Sequence, residues 1–312
     1  MMISIIIPCY NSSNYIDQCF HCLLNQSNSD WEAIFINDGS IDNTLGILKE
    51  LSRKDSRINV YSQNNQGAAK AREYGISKAS GEYITFLDVD DTFEPNALET
   101  VSKKFKYNPD LIVANFNIIN SNKVIRKTSI SFDALNSIAY LKSVLKGKYG
   151  WELCGKVYRR ELFNSSIITP TNFRIGEDAA VFVQIVSRAK KIIGCNCPIY
   201  NYIQYSQSAS HIKNKKYAEE TLLAGRFIED YLKQQSFYDE IKEEISAMYL
   251  LFYSNSSFKY TLSNKHTLVK YIIDNHLKII SLWRIPLLKA FYVLLLYLTN
   301  GKIAELLSKL KR

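Results

Sequence analysis

Over residues 3–116 the hydrophobic positions change period several times. Ile3 to Ile7, Ala33 to Ile36, Ile58 to Tyr61, Tyr83 to Leu87 and Leu111 to Phe116 are short runs rich in β-branched or aromatic residues, and read as strands buried between helices. Amphipathic segments separate them. Ile16, Cys19, Phe20, Leu23 and Leu24 fall at the i, i+3, i+4, i+7, i+8 spacing of one helix face, and Ala68, Ala71, Gly75, Ile76 and Ala79 make a stripe of smaller residues on a third helix. This alternation predicts an α/β fold, with a Rossmann-like, open, mostly parallel sheet flanked by helices. After about Asn120 the alternation weakens, and from Asn214 the pattern is helical: Tyr217 to Gln235, Asp239 to Ser256, Lys265 to Ser281 and Ile285 to Leu298. We therefore expect one α/β domain over 1–210 and a helical C-terminal region over 211–312.

In an open parallel sheet, ligands bind beyond the carboxyl ends of the strands. The polar clusters of this chain fall there: "PCYNSSN", "NDGSIDNT", "SQNNQGAAKAR" and "DVDD" follow the first four strands in turn. They predict one crevice lined by Asp38, Arg72, Asp88 and Asp90. Taken alone, Asp38-Gly39 also reads as a tight turn. The stretch "DVDDTFEPNALE" offers carboxylates at the first, third and last positions of a calcium-binding loop, but Phe93 stands where that loop needs glycine and a strand leads into it. A helix starting after Pro95 would let Asp91 or Thr92 act as its cap, yet leaves Asp88 unexplained. Asp88 and Asp90, one residue apart at a strand end, repel each other unless a cation lies beside them. Mg²⁺ or Mn²⁺, held by one or two carboxylates and completed by substrate phosphates, resolves that repulsion. Arg72 and Lys70 suit the diphosphate.

Composition narrows this only a little. With 312 residues and 46% hydrophobic content the chain can fill a sizeable core. A formal charge of +9 and a pI near 9.0 point to an anionic partner, whether nucleic acid, anionic lipid or a phosphorylated small molecule. Six cysteines in so long a chain suggest reduced thiols and a cytosolic location. Cys195 and Cys197 flank a single residue with no histidine nearby, which argues against zinc. "MMISIIIPCYN" lacks a basic leader and reads as a first strand rather than a signal peptide. The apolar run Ala290 to Leu298 is far short of the roughly 20 residues that a spanning helix needs.

In their order along the chain, "ISIIIPCYNSSNYIDQCFHCLLNQ", "WEAIFINDGSIDNT", "NNQGAAKAREYGISKASGEYITFLDVDD", "WELCGKVYRRELF", "FRIGEDAAVF" and "YNYIQYSQSAS" resemble the inverting family 2 glycosyltransferases of the GT-A fold, particularly bacterial ones that assemble capsules and other surface polysaccharides. The resemblance implies metal-dependent hexosyl transfer from a UDP-sugar to a hydroxyl of a glycan acceptor, expected to be lipid-linked. It implies that Pro8, Tyr10 and Asn11 lie against the nucleoside and that Asp38 bonds the base. Gly67 and Arg72 would border the nucleotide, Asp88 would reach the ribose, and Asp90 would ligate Mn²⁺ or Mg²⁺ in a D-x-D motif. Asp178 of "GED" would be the general base. Two departures stand out: Asn37 replaces the usual first acid of "DDGS", and Val89 replaces the small polar residue of "LDSDD". Both leave the motif acids in place. Without the resemblance, Glu177 and Asp178 read as acids complementing a helix N-terminus. Trp151 suits either sugar stacking or the core, and neither it nor Lys156 is assigned a catalytic role.

From Ser281 to Arg312 the chain carries Arg284, Lys289, Lys302, Lys309, Lys311 and Arg312 against the single acid Glu305, around the apolar block "FYVLLLYL". This suits an anionic membrane surface, and hence the inner face of the cell membrane. It suits equally well packing on the α/β domain or on another subunit, which leaves oligomerisation open. The same residues bear on other functions. A nucleotidyltransferase would want a glycine-rich phosphate loop, and "PCYNSSN" has no glycine. No nucleic-acid-binding motif is present, so no nucleic acid partner is expected. A sugar-nucleotide-binding protein without catalysis stays open.

Overall fold

The β-branched runs are strands, all but the third of them paired on both sides. The computed structural model describes residues 1–121, 123–163, 166–170, 172–173, 175–205, 215–260, 266–303 and 306–307. Strands β1 (Ile3–Cys9), β2 (Trp31–Asp38), β3 (Ile58–Gln63) and β4 (Tyr83–Phe86) pair in parallel in the order β3-β2-β1-β4. Ile3 pairs with Trp31 on one side and Tyr83 on the other, and Cys9 comes level with Asn37. Helices α1 (Ile16–Leu24), α2 (Thr44–Lys54) and α3 (Ala68–Lys78) connect them. Of the predicted faces, Ile16, Cys19, Phe20 and Leu23 of α1 and Ala71, Gly75 and Ala79 of the third segment are buried, whereas Leu24 and Ala68 are exposed; Arg72, outside the predicted stripe, is buried on α3 as well. The small residues of α3 let it lie close to the sheet, so that a Cβ on Gly75 would come 2.5 Å from Cγ2 of Ile6.

The sheet has ten strands. After β5 (Thr92–Phe93) and α4 (Ala97–Ser102) come β6 (Leu111–Asn120), β7 (Lys123–Lys127), β8 (Ala134–Leu135), β9 (Lys156–Arg159) and β10 (Ile192–Gln204). The short strand β9 lies antiparallel between β4 and β6, so the fifth predicted strand does not neighbour the fourth. Four residues are too few to announce such a strand by periodicity. Strand β10 runs parallel to β6, with its register shifted between Cys195 and Tyr200, where Pro198 has no N–H to give. The helix predicted to follow Pro95 begins at Ala97 with Asn96 as its N-cap residue, so neither Asp91 nor Thr92 caps it. Thr92 belongs to β5 instead.

By internal contacts the chain divides into a unit of Met1–Ser137, Glu152–Thr169 and Arg188–Ser208, which holds the sheet, and a unit of Ile138–Trp151, Pro170–Ser187 and Ala209–Arg312. The second unit contains α5 (Ser137–Leu145, from its second residue), α6 (Glu177–Val186), α7 (Lys215–Lys233), α8 (Tyr238–Tyr260), α9 (Thr267–His276), α10 (Ile279–Leu282) and α11 (Leu287–Leu298). Helices α7, α9, α10 and α11 pack on α8. The single helix predicted from Lys265 to Ser281 is divided at Leu277 and Lys278, whose ψ angles of 83° and 151° leave the helical region. In one unbroken helix Ser281 would project roughly opposite to Val269, Ile272 and His276. All four are buried, and the break permits it. Lys265, residues 206–210 of the last quoted motif, Asn214, Glu305, Lys309, Lys311 and Arg312 lie outside the described residues. Among the described residues no helix is long and apolar enough to cross a membrane.

Substituting Gly75 by Val should strain the contact of α3 with β1 and lower stability by about 1–3 kcal/mol in urea unfolding, as overpacked cores do. A second expectation concerns His276. Its ring stacks on Tyr249 at 4.2 Å and faces Ser246 Oγ and Glu229. Burial lowers its pKa from 6.5 to about 4, with Glu229 opposing and Lys278 and Lys233 adding to the shift. The imidazole is therefore neutral in the fold, and its contribution is fully present above pH 6.5. As pH falls from there toward 4 the unfolded chain takes up a proton that the fold refuses, and stability drops by up to about 3 kcal/mol. Urea midpoints measured across that range should fall less steeply in His276→Gln than in the wild type.

Candidate functional site

The parallel register brings the ends of β1, β2 and β4 and the start of α3 to one rim. There a pocket of about 360 Å³ is lined by Pro8, Tyr10, Asn11 and Asp38 together with Arg72, Asp88 and Asp90. Seven of the nine residues singled out from the sequence thus meet in one place. Cys9, Ser12, Tyr15, Ala68 and Val89 complete the lining. Lys70 does not take part, since its ammonium pairs with Glu73 at 2.7 Å on the exposed side of α3.

The loop after β1 is held by its own polar residues. Asn11 adopts a left-handed backbone (φ 49°), its N–H donates to Ser40 Oγ, and its Oδ1 accepts from Ile41 N–H. Asp42 accepts from Ser13 N–H and Thr44 N–H; against a burial that pushes it up, these bonds pull its carboxyl down to about 2. Asn37, standing where an acid is usual, donates to Ser62 Oγ and accepts from Ser40 N–H. It ties the same loops together. Tyr10 is left half exposed at the rim.

Asp38 closes β2 and is 3% exposed. Its Oδ1 accepts from Gln63 Nε2 at 2.8 Å and Gln66 N–H at 2.9 Å, and its Oδ2 from Gly67 N–H at 2.8 Å. A carboxylate offers about four acceptor positions, so one is left. Gly67 itself does not line the pocket. With φ 91° and ψ 164° it occupies a backbone region open essentially to glycine alone, and this directs its N–H at Asp38 ahead of α3.

Arg72 Nη2 pairs with Asp88 Oδ1 at 2.8 Å, and the guanidinium side chain is 10% exposed. Burial and then Asp88 raise the pKa of Asp90. Asp91 is buried behind them, its Oδ2 accepting from Tyr200 O–H at 2.6 Å and its Oδ1 from Ile203 N–H at 2.7 Å. Burial first, then Asp88, push it up to about 8. Tyr200 also accepts from Asp88 N–H, and Tyr205 O–H donates to the backbone carbonyl of Asp90 while its ring meets Tyr15. Sequence reasoning missed Gln63, Tyr200 and Tyr205. Gln63 lies in a polar cluster after the third strand, and Tyr200 and Tyr205 lie in "YNYIQYSQSAS", but nothing local announces that a tyrosine of β10 will reach Asp91.

The acids thus keep more negative charge than Arg72 offsets, and all their donor atoms are hard oxygens. Among the described residues no three His, Cys, Asp or Glu side chains gather as a metal cage. A divalent cation here would take one or two protein carboxylates and fill its remaining positions from a bound ligand, as Mg²⁺ does with phosphates. Cys9 does not compete as a nucleophile, because burial and then Asp88 push its thiol up.

Asp178 belongs to the second unit, half-buried in the first turn of α6 beside Glu177. Gly176, with φ 91°, caps that helix, and a Cβ there would lie 2.6 Å from the Cβ of Ala224. Trp151 meets Phe252 at 5.0 Å within the same unit. Lys156 is buried in the first unit, where its ammonium bonds the backbone carbonyl and the carboxylate of Glu152.

The model of glycosyl transferase family 2 matches residues 4–168. The chain is 30% identical over 226 residues to glycosyltransferase GlyA of Streptococcus pneumoniae, covering 69% of this chain and 32% of that protein. It is 29% identical over 270 residues to the cholesterol galactosyltransferase of Borreliella burgdorferi, covering 82% of this chain and 75% of the relative. It thus spans about a third of the length of the first relative and three quarters of the second. Among solved structures, residues 1–349 of S. aureus TarS in complex with UDP-GlcNAc match with a TM-score of 0.71 and 16% identity, covering 100% of this chain and 93% of that one. At that identity the likeness is one of fold.

Asp38→Asn would set an amide NH₂ against one of three N–H donors. We expect a loss of about 1–3 kcal/mol in urea unfolding, with faster hydrogen exchange at the amides of Gln66 and Gly67.

Proposed function

Because the chain belongs to glycosyl transferase family 2, we propose that it moves a sugar, with inversion, from a UDP-sugar to a hydroxyl of a glycan acceptor. The acceptor we propose is lipid-linked, as in surface polysaccharide assembly. The observation that carries this reading is the pocket at the ends of parallel strands, where Asp38, Arg72, Asp88 and Asp90 converge. The UDP-GlcNAc named with TarS and the galactosyl transfer named for the Borreliella relative support a sugar nucleotide as donor.

In this reading the ring of Tyr10 lies against the nucleoside beside Pro8 and Asn11, and the one acceptor position left on Asp38 takes the N–H of the base. Arg72 anchors one oxygen of Asp88, and the other is directed to the ribose hydroxyls. Asp90 would hold Mn²⁺ or Mg²⁺, with the remaining positions open to diphosphate oxygens. Bound there, the ion would supply Lewis-acid stabilisation of the leaving diphosphate. The acceptor oxygen forms its bond to the anomeric carbon as the bond to the diphosphate breaks, and the electron pair leaves with UDP. The acceptor's proton passes to the carboxylate of Asp178. One displacement assisted by one base inverts the centre and needs no nucleophilic carboxylate.

A panel of UDP-sugars, assayed for UDP release with Mn²⁺, Mg²⁺ or EDTA, tests this. One donor should be hydrolysed slowly in a metal-dependent way. Asp90→Asn should lose the metal dependence, and Asp178→Asn should turn over about 10²–10⁴-fold more slowly while still binding the donor. Absence of metal-dependent UDP binding by the wild type would overturn the reading of the acidic cluster.

A further inference from the structure

Half of the large hydrophobic side chains that are exposed among the described residues fall within 279–298. Scattered apolar residues on a surface need no explanation, but a cluster of this kind does. Helix α11 is apolar on two sides. Ala290, Val293 and Leu296 are buried, and α11 packs on α8. Leu287, Phe291, Leu294 and Leu298 recur at helical spacing on another side and remain exposed, with Leu288 beside them at 84%. The preceding Trp283 is 83% exposed and Ile279 77%.

The charges around this face have one sign. Between Lys278 and Ile303 the chain has four basic residues and no acid. Arg284 is used internally, its Nη1 bonding Glu244 at 2.6 Å, and Lys289 donates to Asn255 Oδ1. Lys278 and Lys302 are exposed at the two ends of the segment and have no carboxylate partner among the described residues. An apolar strip bounded by lysines, with Trp283 and Tyr297 exposed along it, matches the boundary between headgroups and acyl chains of an anionic bilayer. Helix α11, with 12 residues, is too short to span one, which takes roughly 20.

We propose that this face docks on an anionic membrane surface and lies in its interface, with the apolar side chains of α10 and α11 inserted and Lys278 and Lys302 set among lipid phosphates. Docking of this kind would localise the chain whatever reaction it catalyses.

The test is flotation of the full chain with vesicles of phosphatidylcholine alone and of phosphatidylcholine mixed with phosphatidylglycerol. Wild type should float with the anionic vesicles and lose binding as salt is raised. A Leu288→Glu, Phe291→Glu variant should partition at least about tenfold more weakly. A Lys278→Glu, Lys302→Glu variant should lose the preference for phosphatidylglycerol. Brominated lipid should quench a fluorescence component that Trp283→Phe removes, which keeps the test decisive even if the glutamate variant unfolds. Wild type that floats with neither vesicle would overturn the proposal, as would equal binding by wild type and the glutamate variant. Concentration-dependent self-association without lipid, abolished by the glutamate substitutions and accompanied by no vesicle binding, would overturn it in favour of a second copy of the chain.

Discussion

Strand β1 is hydrogen-bonded in parallel on both sides, to β2 and to β4, and the rest of the first unit follows from that pairing. Once Ile3 is level with both Trp31 and Tyr83, the ends of the three strands cannot be chosen independently. The loop after Cys9, the turn at Asp38 and the acids after Leu87 must open onto the same rim. A parallel sheet also obliges each connection to cross a face as a helix. The closest of these crossings, α3, is possible because Ala71 and Gly75 bring no bulk between the helix and Ile6. That close approach places Arg72 beside Asp88.

At this rim the carboxylates differ in how their charge is met, and the differences separate their tasks. Asp38 is surrounded by donors, two of them backbone amides of the loop it holds, so much of its capacity is spent on architecture. Asp88 is matched by a guanidinium. Asp91 is buried away from water between Tyr200 and Ile203, where its carboxyl is driven upward. Burial and the like charge of Asp88 raise the pKa of Asp90, offset in part by a backbone hydrogen bond, while the ion pair of Arg72 in the same lining goes to Asp88. Unanswered charge of this kind in a pocket costs stability, and a cation and its phosphate ligand would relieve it. This imbalance agrees with the metal-binding role proposed for Asp90.

The second unit solves a different problem. Its helices share α8, and the buried polar contacts between them are concentrated around Glu229 of α7, which accepts from Tyr249 of α8 and Tyr271 of α9 at 2.8 Å each and from Lys233 at 2.9 Å. These bonds satisfy a buried carboxylate and register three helices at once. Helix α11 packs on α8 with Ala290, Val293 and Leu296 buried and with Lys289 donating to Asn255 Oδ1, and much of the side it leaves uncovered is apolar.

The alternation of strand-like and helix-like periods determined by itself that the chain would build a parallel α/β sheet, because side-chain periodicity is a local property and each buried strand needs its own run of β-branched residues. It also located Asp38, Asp88 and Asp90 at strand ends and Arg72 in the segment that follows β3, since polar turn residues have nowhere else to go in such a sheet. Local pattern could not reveal that β9 would enter between β4 and β6, because its four residues acquire strand identity only from their neighbours. Asp91 does not cap the following helix, which starts after Asn96, because its carboxylate found Tyr200 and Ile203, more than a hundred residues away in sequence. Tertiary structure likewise decided that the helix predicted through His276 would break, so that His276 and Ser281 could both be buried. These outcomes share one reason. Propensity and period act between near neighbours along the chain, whereas the partners that satisfy a buried polar group are supplied by whatever element the fold brings beside it.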